Sequence, residues 1–201
     1  MTHHTKAPRS KLLPRLLLGF LAGFLGCQTP EAPERRNEIL GDIERLLERQ
    51  PADIAVAPVR DQTGFDQVPR DLMREAFEEA LVERLYSPLS TDYVDANWVE
   101  ASFRGTPAPD ALLLVVIESY DPSGLYSSGR VRIGGEVVMF EGGDTTGIPL
   151  WSASLQEEID LTEGRRGPPT PSEVWIPKAI RSFAKVALDK LPKRDPVAAR
   201  R

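Results

Sequence analysis

Ala111–Ile117 reads ALLLVVI, bounded by Pro109-Asp110 before it and Asp121-Pro122 after it. Seven apolar residues in an unbroken run, the last three of them β-branched, are too few for a buried helix. They show no polar alternation that would leave one face to water. The run is therefore expected to be a central strand covered on both sides. A sheet with both faces covered needs helices, and the flanking sequence supplies them. Downstream, Val131, Ile133, Val137 and Met139 share one parity, with Arg130, Arg132, Glu136 and Val138 on the other. Trp151, Ala153, Leu155, Ile159 and Leu161 then alternate with Ser152, Ser154, Gln156, Glu158 and Asp160. These period-two patterns, joined by Glu141-Gly142-Gly143-Asp144-Thr145-Thr146-Gly147, predict an antiparallel hairpin with one solvated face.

Upstream, Asp53–Val59 (DIAVAPV) reads as a short strand closed by the turn-rich Arg60-Asp61-Gln62-Thr63-Gly64. Leu72, Ala76, Phe77, Ala80, Leu81 and Leu85 recur at helical spacing, facing away from Arg70, Arg74, Glu78 and Glu79. Ser87-Pro88 closes that helix. Residues 91–103 fit either a strand through Tyr93 and Val94 or a short helix over 95–103 that packs Trp98. Ile39, Leu40, Ile43, Leu46 and Leu47 predict an N-terminal amphipathic helix ending at Gln50-Pro51. Near the other end, Ile176, Ile180, Phe183, Ala187 and Leu191 form one helical face. Pro177 either kinks that helix or marks its start, and Thr170-Pro171-Ser172-Glu173 fits a capping box. The fold class is thus α/β: a mixed sheet of about four to five strands with a C-terminal antiparallel hairpin, flanked by helices.

Outside this body, Leu16–Cys27 (LLLGFLAGFLGC) follows Lys6, Arg9, Lys11 and Arg15, with no acidic residue before Glu31. A basic stretch and an apolar core of roughly ten residues match a secretory signal, and the run is shorter than the ~20 residues of a spanning helix. Gly26 precedes the only cysteine in the chain. The segment resembles the lipobox of bacterial lipoproteins, cut before the cysteine whose thiol then carries a diacylglycerol. That resemblance implies lipidation at Cys27, palmitate included, and anchorage to a membrane. Gln28, in place of Asp, points to the outer membrane and its periplasmic face. The expected organisation is a signal peptide over 1–26 and a tether over 27–36. A single α/β domain spans 37–191, and a polar, disordered tail spans 192–201.

Composition narrows the chemistry. Residues 1–26 hold four basic and no acidic side chains, so their removal takes the formal charge from −5 to −9. An acidic surface of that kind repels phosphate backbones, so nucleic acid is not an expected partner. His3 and His4 both lie in the signal. A mature chain without histidine, its one thiol alkylated, has no His base, no Cys nucleophile and no His or Cys zinc site. No cofactor or metal is expected, and the chain is read as a non-enzyme.

Several strings imitate catalytic motifs. Ser182-Phe183-Ala184-Lys185 fits S-x-x-K without the companion elements that chemistry needs. Asp61-Gln62-Thr63-Gly64 and Asp144-Thr145-Thr146-Gly147 look like aspartic-protease loops with one residue too many, and read as turns. Glu118 and Asp121 form a carboxylate pair that a hydrolase could use, and read more simply as solvated charges at a strand end. Two binding candidates remain. Asp61, Thr63 and Gly64 lie at the carboxyl end of the first strand, where open α/β sheets place ligands. Arg165 and Arg166 make a basic spot on an acidic protein, suited to an acidic partner or lipid headgroup.

The order strand, helix, apolar strand, long hairpin, helix resembles a group of envelope lipoproteins that includes the activators of penicillin-binding proteins and the curli-secretion channel lipoprotein. The resemblance rests on Asp53–Val59 with Thr63-Gly64, on Asp110–Val115 (DALLLV), and on Gly147–Ala153 (GIPLWSA). It implies a non-enzymatic protein-binding or assembly role in the cell envelope, with an unidentified protein partner. The alternatives are a self-assembling secretion or ring component, hence a homo-oligomer, and a carboxylate-dependent envelope hydrolase.

Overall fold

A computed structural model describes residues 38–162 and 174–195, with the backbone alone for 38–40. The chain divides into two units, Met1–Glu34 and Arg35–Arg201, and the described residues belong to the second. Cys27, Arg165, Arg166 and the capping box at 170–173 lie outside them.

In chain order the elements are β1 (Glu38–Leu40), α1 (Ile43–Arg49), β2 (Asp53–Val56), β3 (Arg60–Asp61), α2 (Arg70–Glu83), β4 (Ser87–Pro88) and α3 (Thr91–Ala96). There follow β5 (Trp98–Val99), β6 (Ser102–Phe103), β7 (Ala111–Asp121), α4 (Leu125–Ser128), β8 (Arg130–Glu141), β9 (Pro149–Asp160) and α5 (Trp175–Leu188). The main sheet runs β1-β9-β8-β7-β2-β4, with β3 also on β7; β5 and β6 form a separate two-stranded sheet. β2, β3 and β4 join in parallel, whereas β7, β8, β9 and β1 are antiparallel. The expected mixed sheet is therefore present. Its substance lies in β2, β7, β8, β9 and the short β1, with β3 and β4 as two-residue additions.

β7 earns its central place through alternation between two cores. Ala111, Leu113, Val115 and Ile117 join the larger core with α2 and α5. Leu112, Leu114 and Val116 join a smaller one with Ala55, Ala57, Val94, Phe103, Val138 and Phe140. All seven are buried. At ~25 cal/mol per Å² removed from water, this dense burial is the main drive for the fold. Phe77 of α2 meets Phe183 of α5 edge-on, ring centres 6.2 Å apart. On the other side α3 and the β5–β6 hairpin cover the β2–β7 half and the adjoining Val138 and Phe140 of β8. Toward the far end of β8 and β9 on that side, Arg130, Arg132, Gln156 and Glu158 are exposed. Arg132 binds Glu158 at 2.8 Å and Arg130 binds Asp160 at 3.2 Å.

Four local expectations need correction. Glu38–Leu40 is a strand rather than the start of the first helix, which begins at Ile43 after the Asp42 cap accepts from Arg45 N. Gly41 separates the two, with φ +130°, a backbone region that favours glycine. Residues 91–103 form a helix followed by a hairpin, in neither of the predicted arrangements. Leu72 and Leu85 are exposed rather than inward. Arg74, placed on the outer face by spacing, is buried. Pro177 falls in the first turn of α5, where its missing N–H costs nothing, and so marks the start of the helix. At the far end, the Tyr86 hydroxyl donates to Pro192 O at 2.9 Å and Arg194 N donates to Arg84 O at 3.0 Å.

Candidate binding surface at the carboxyl ends of the parallel strands

β2 and β3 follow one edge of β7 as an interrupted strand. Ile54–Val56 pairs with Ala111–Leu113, and Arg60-Asp61 pairs with Val116-Ile117. The break falls at Pro58, which has no N–H to give the ladder. The segment from Pro58 to Pro69 then wraps the carboxyl ends of these strands and borders two concavities.

The sequence candidates Asp61 and Thr63 build this loop. Asp61 Oδ1 accepts from Thr63 N at 2.8 Å and from Thr63 Oγ1 at 2.7 Å, and Phe65 N donates to Thr63 Oγ1 at 3.2 Å. Gly64 turns the chain with φ +75° and open space around it. These groups satisfy one another and hold Phe65 outward, 69% exposed. The same Asp-x-Thr device recurs at Asp144–Thr146 and at Asp160–Thr162. At Asp160 the Thr162 hydroxyl and then its amide hold the carboxyl down to about 2. The two protease-like strings are thus turns, as their extra residue implied.

Beyond Phe65 lies a groove of about 630 Å³, lined by Gln67, Tyr120, Leu125, Tyr126 and Ile176 among others. Its lips are Phe65 and Tyr126, which is 71% exposed. Burial holds the Tyr120 phenol above its ordinary value, with Tyr126 adding to the shift. Asp121, also on this rim, accepts from Ser123 N at 2.9 Å. The side chain and backbone of Ser123 lower its pKa, opposite to what a general acid requires. Surfaces of this kind, an apolar floor with a few polar groups on loops, suit binding rather than proton transfer.

The second concavity, about 370 Å³, lies by the first turn of α2 between Pro58, Arg70, Asp71, Arg74, Asp95 and Trp98. Two cations face two carboxylates there, so it carries no net bias toward an anion. Arg74 is its structural element: Nε donates to Val56 O at 3.0 Å and a terminal nitrogen donates to Asp95 Oδ1 at 2.6 Å. The other terminal nitrogen is buried without a partner among the described residues. Glu78, 3.9 Å from Arg74 Nε, is raised above its ordinary value, chiefly by desolvation, although Thr91 and Arg74 pull the other way.

The S-x-x-K string falls on α5, where Lys185 pairs with Glu83 at 2.8 Å. Among the described residues, no group of three or more His, Cys, Asp or Glu side chains could hold a metal. Within the same residues no helix is long and apolar enough to cross a membrane. Sequence reasoning missed Phe65, Tyr126 and Arg74. Phe65 stands alone in a polar loop, Tyr126 falls on the four-residue α4, and Arg74 follows helical spacing that ignores what β2 and α3 bring to it.

No protein family matches the sequence, and no curated protein does. Solved structures match by shape. One is the PelC dodecamer from Paraburkholderia phytofirmans, 13% identical over 80% of this chain and 99% of that one, with a TM-score of 0.51. Another is lipoprotein GNA1162 from Neisseria meningitidis, 14% identical over 67% and 97% of the two chains, with a TM-score of 0.42. The resemblance to the activators of penicillin-binding proteins gains no support from these structures. At such identities a common fold is what is shared, and this chain has the fold of the PelC subunit.

Proposed function

We propose that this chain is a non-enzymatic lipoprotein of the bacterial cell envelope that acts as a binding or assembly accessory, and that it works as a homo-oligomer. The signal at 1–26 exports it. The Cys27 thiol carries the lipid, palmitate among its chains, and the domain sits on the periplasmic face of the outer membrane. One acyl chain alone holds a protein only marginally, so firm attachment implies more than one on Cys27. The observation that carries the reading is the fold shared with nearly the whole of a protein that crystallised as a dodecamer. A domain devoted to assembly also suits the loop-borne groove, since loops on a rigid sheet are common contact surfaces. Of the two alternative readings, the self-assembling ring component gains more from that likeness than the carboxylate-dependent hydrolase.

The test has two parts. Cells expressing the full chain and Cys27→Ser are labelled with palmitate and fractionated. Label on the unsubstituted chain alone, with loss of signal cleavage in the variant, is the expected result. The detergent-solubilised lipoprotein is then measured by light scattering. A monomer at micromolar concentration would remove the oligomeric reading, and equal membrane retention of both unlabelled forms would remove the lipoprotein reading.

A further inference from the structure

We propose that the cavity beside the first turn of α2 binds a neutral pyranose, either a free sugar or the end of a glycan. The walls decide the class of ligand. Pro58, Val59 and Trp98 are apolar, while Arg70, Arg74, Asp71 and Asp95 balance in charge. An anion would meet two carboxylates there, and a cation two guanidinium groups. A purely apolar ligand would cover charged groups without giving them partners, which is costly. A sugar hydroxyl donates through its hydrogen and accepts through its oxygen, so a polyol serves both signs at once. At about 370 Å³ the cavity stands at the lower end of the ~300–1,000 Å³ usual for small-molecule sites, with room for one sugar ring.

The groups are held with different firmness. Trp98 opens β5 and packs on the smaller core, which fixes its indole in the cavity wall. The negative face of an indole attracts the polarised C–H groups on one side of a pyranose. Arg74, buried on α2, holds Asp95 by Oδ1 at 2.6 Å. That positions a half-exposed carboxylate whose second oxygen is available to a hydroxyl. The terminal nitrogen of Arg74 that lacks a partner among the described residues is a donor left over in the same wall. Asp71 is exposed one turn earlier on the same helix face. Arg70 meets Asp66 only at 3.8 Å, an exposed ion pair too loose to hold it away from a ligand.

This site is separate from the groove between Phe65 and Tyr126. It depends neither on the lipid anchor nor on the assembly proposed above.

The chain holds three tryptophans, so the isotope-labelled full-length protein in detergent gives three indole N–H signals, and Trp98→Phe identifies the one at the cavity. Glucose, galactose and N-acetylglucosamine are each titrated to tens of millimolar, as the free sugar and as the methyl glycoside. At least one is expected to shift the Trp98 signal saturably while those of Trp151 and Trp175 stay in place. Tighter binding of the methyl glycoside assigns the site to a glycan end, and equal or weaker binding to a free sugar. Asp71→Asn, at an exposed position and with its fold checked by circular dichroism, is expected to weaken that sugar roughly fivefold, because a charged acceptor is exchanged for a neutral one. The absence of a saturable Trp98 shift with all three sugars overturns the proposal. So does unchanged affinity in Asp71→Asn. A stronger Trp98 response to inorganic phosphate or to glycine also overturns it, by marking an anion or zwitterion site.

Discussion

Replacing Arg74 by Met tests whether the buried guanidinium is needed by the sheet or merely tolerated. Methionine has similar length, keeps the apolar stem contacts and removes a buried charge. On that ground alone the variant would be neutral or even more stable, because buried ion pairs often lose to well-packed apolar groups. Two features weigh against this. Val56 O would lose its donor inside the protein, and an unsatisfied buried carbonyl costs about 1–3 kcal/mol. Glu78, already raised by desolvation, would lose a neighbouring cation. Asp95 contributes little because half its side chain is in water, 52% exposed, where ion pairs are worth about 0–1 kcal/mol. The expected net loss is about 2 kcal/mol, or roughly 4–8 °C in Tm for a domain of this size. The pH dependence has a definite sign. A carboxyl raised by burial keeps its proton to higher pH when folded than when unfolded, so Glu78 weighs on the fold increasingly as pH rises through and above its ordinary range. The Arg74→Met deficit is therefore larger at pH 7 than at pH 4. Urea denaturation followed by circular dichroism at both values, with Asp95→Asn as the comparison, measures this. If Asp95→Asn costs as much as Arg74→Met, or if Arg74→Met is neutral at pH 7, the role assigned to the Val56 carbonyl is wrong.

Two further outcomes follow from local geometry. A Cβ at Gly135 would run into the backbone carbonyl of Val116, whereas one at Gly134 would meet the Ser119 hydroxyl at 2.5 Å, a side chain that can turn away. Gly135→Ala should cost about 1–3 kcal/mol or more, and Gly134→Ala distinctly less; equal denaturation midpoints would refute the assignment of β7–β8 contact distance to Gly135. Thr162→Val removes the larger of the two influences that hold Asp160 down to about 2. Its carboxyl titration by NMR should move upward while staying below the ordinary value, because the Thr162 amide still donates. Stability contributed by Asp160 is present above its ordinary pKa and fades as pH falls toward 2, so the variant gives up that contribution at a higher pH. An unmoved titration would show that the hydroxyl is not bonded there in solution.

The strands were the most legible part of the chain because their signal is local. Ala111–Ile117 announces a doubly covered strand, and the alternation through β8 and β9 survives even the paired glycines at 134–135, which keep the parity from Val131 to Met139. Pairing partners were not legible: nothing in Arg60-Asp61 says that it resumes the edge of β7 after Pro58. Residues 38–40 illustrate the ambiguity of short apolar runs. Ile39 and Leu40 fit the helical spacing of Ile43 and Leu46, and the break at Gly41 decides against it. The Asp61–Gly64 loop was placed correctly at the strand's carboxyl end. Its polar residues proved to be the scaffold, and the surface it presents is Phe65. Periodicity also missed Arg74, since a helix can bury a cation wherever a neighbouring strand end offers it a carbonyl. Cys27, Arg165 and Arg166 lie outside the described residues, and their roles rest on sequence.

The mixed character of the sheet bears on how the chain reaches it. β7, β8 and β9 meet through two nearby reversals, and Leu112 finds Phe140 across a modest stretch of chain. Ala55 must find Leu112 across a stretch about twice as long, with α2 and α3 inside it. Each doubling of a closing loop costs only about 0.6 kcal/mol, yet distant parallel pairings delay assembly more than they weaken the product. The three-stranded meander is therefore expected to assemble ahead of β2. Until β2 and α3 arrive, one flank of β7, with Leu112, Leu114 and Val116, is wet and adhesive. For the exported chain proposed above, that interval is when an escort is most needed.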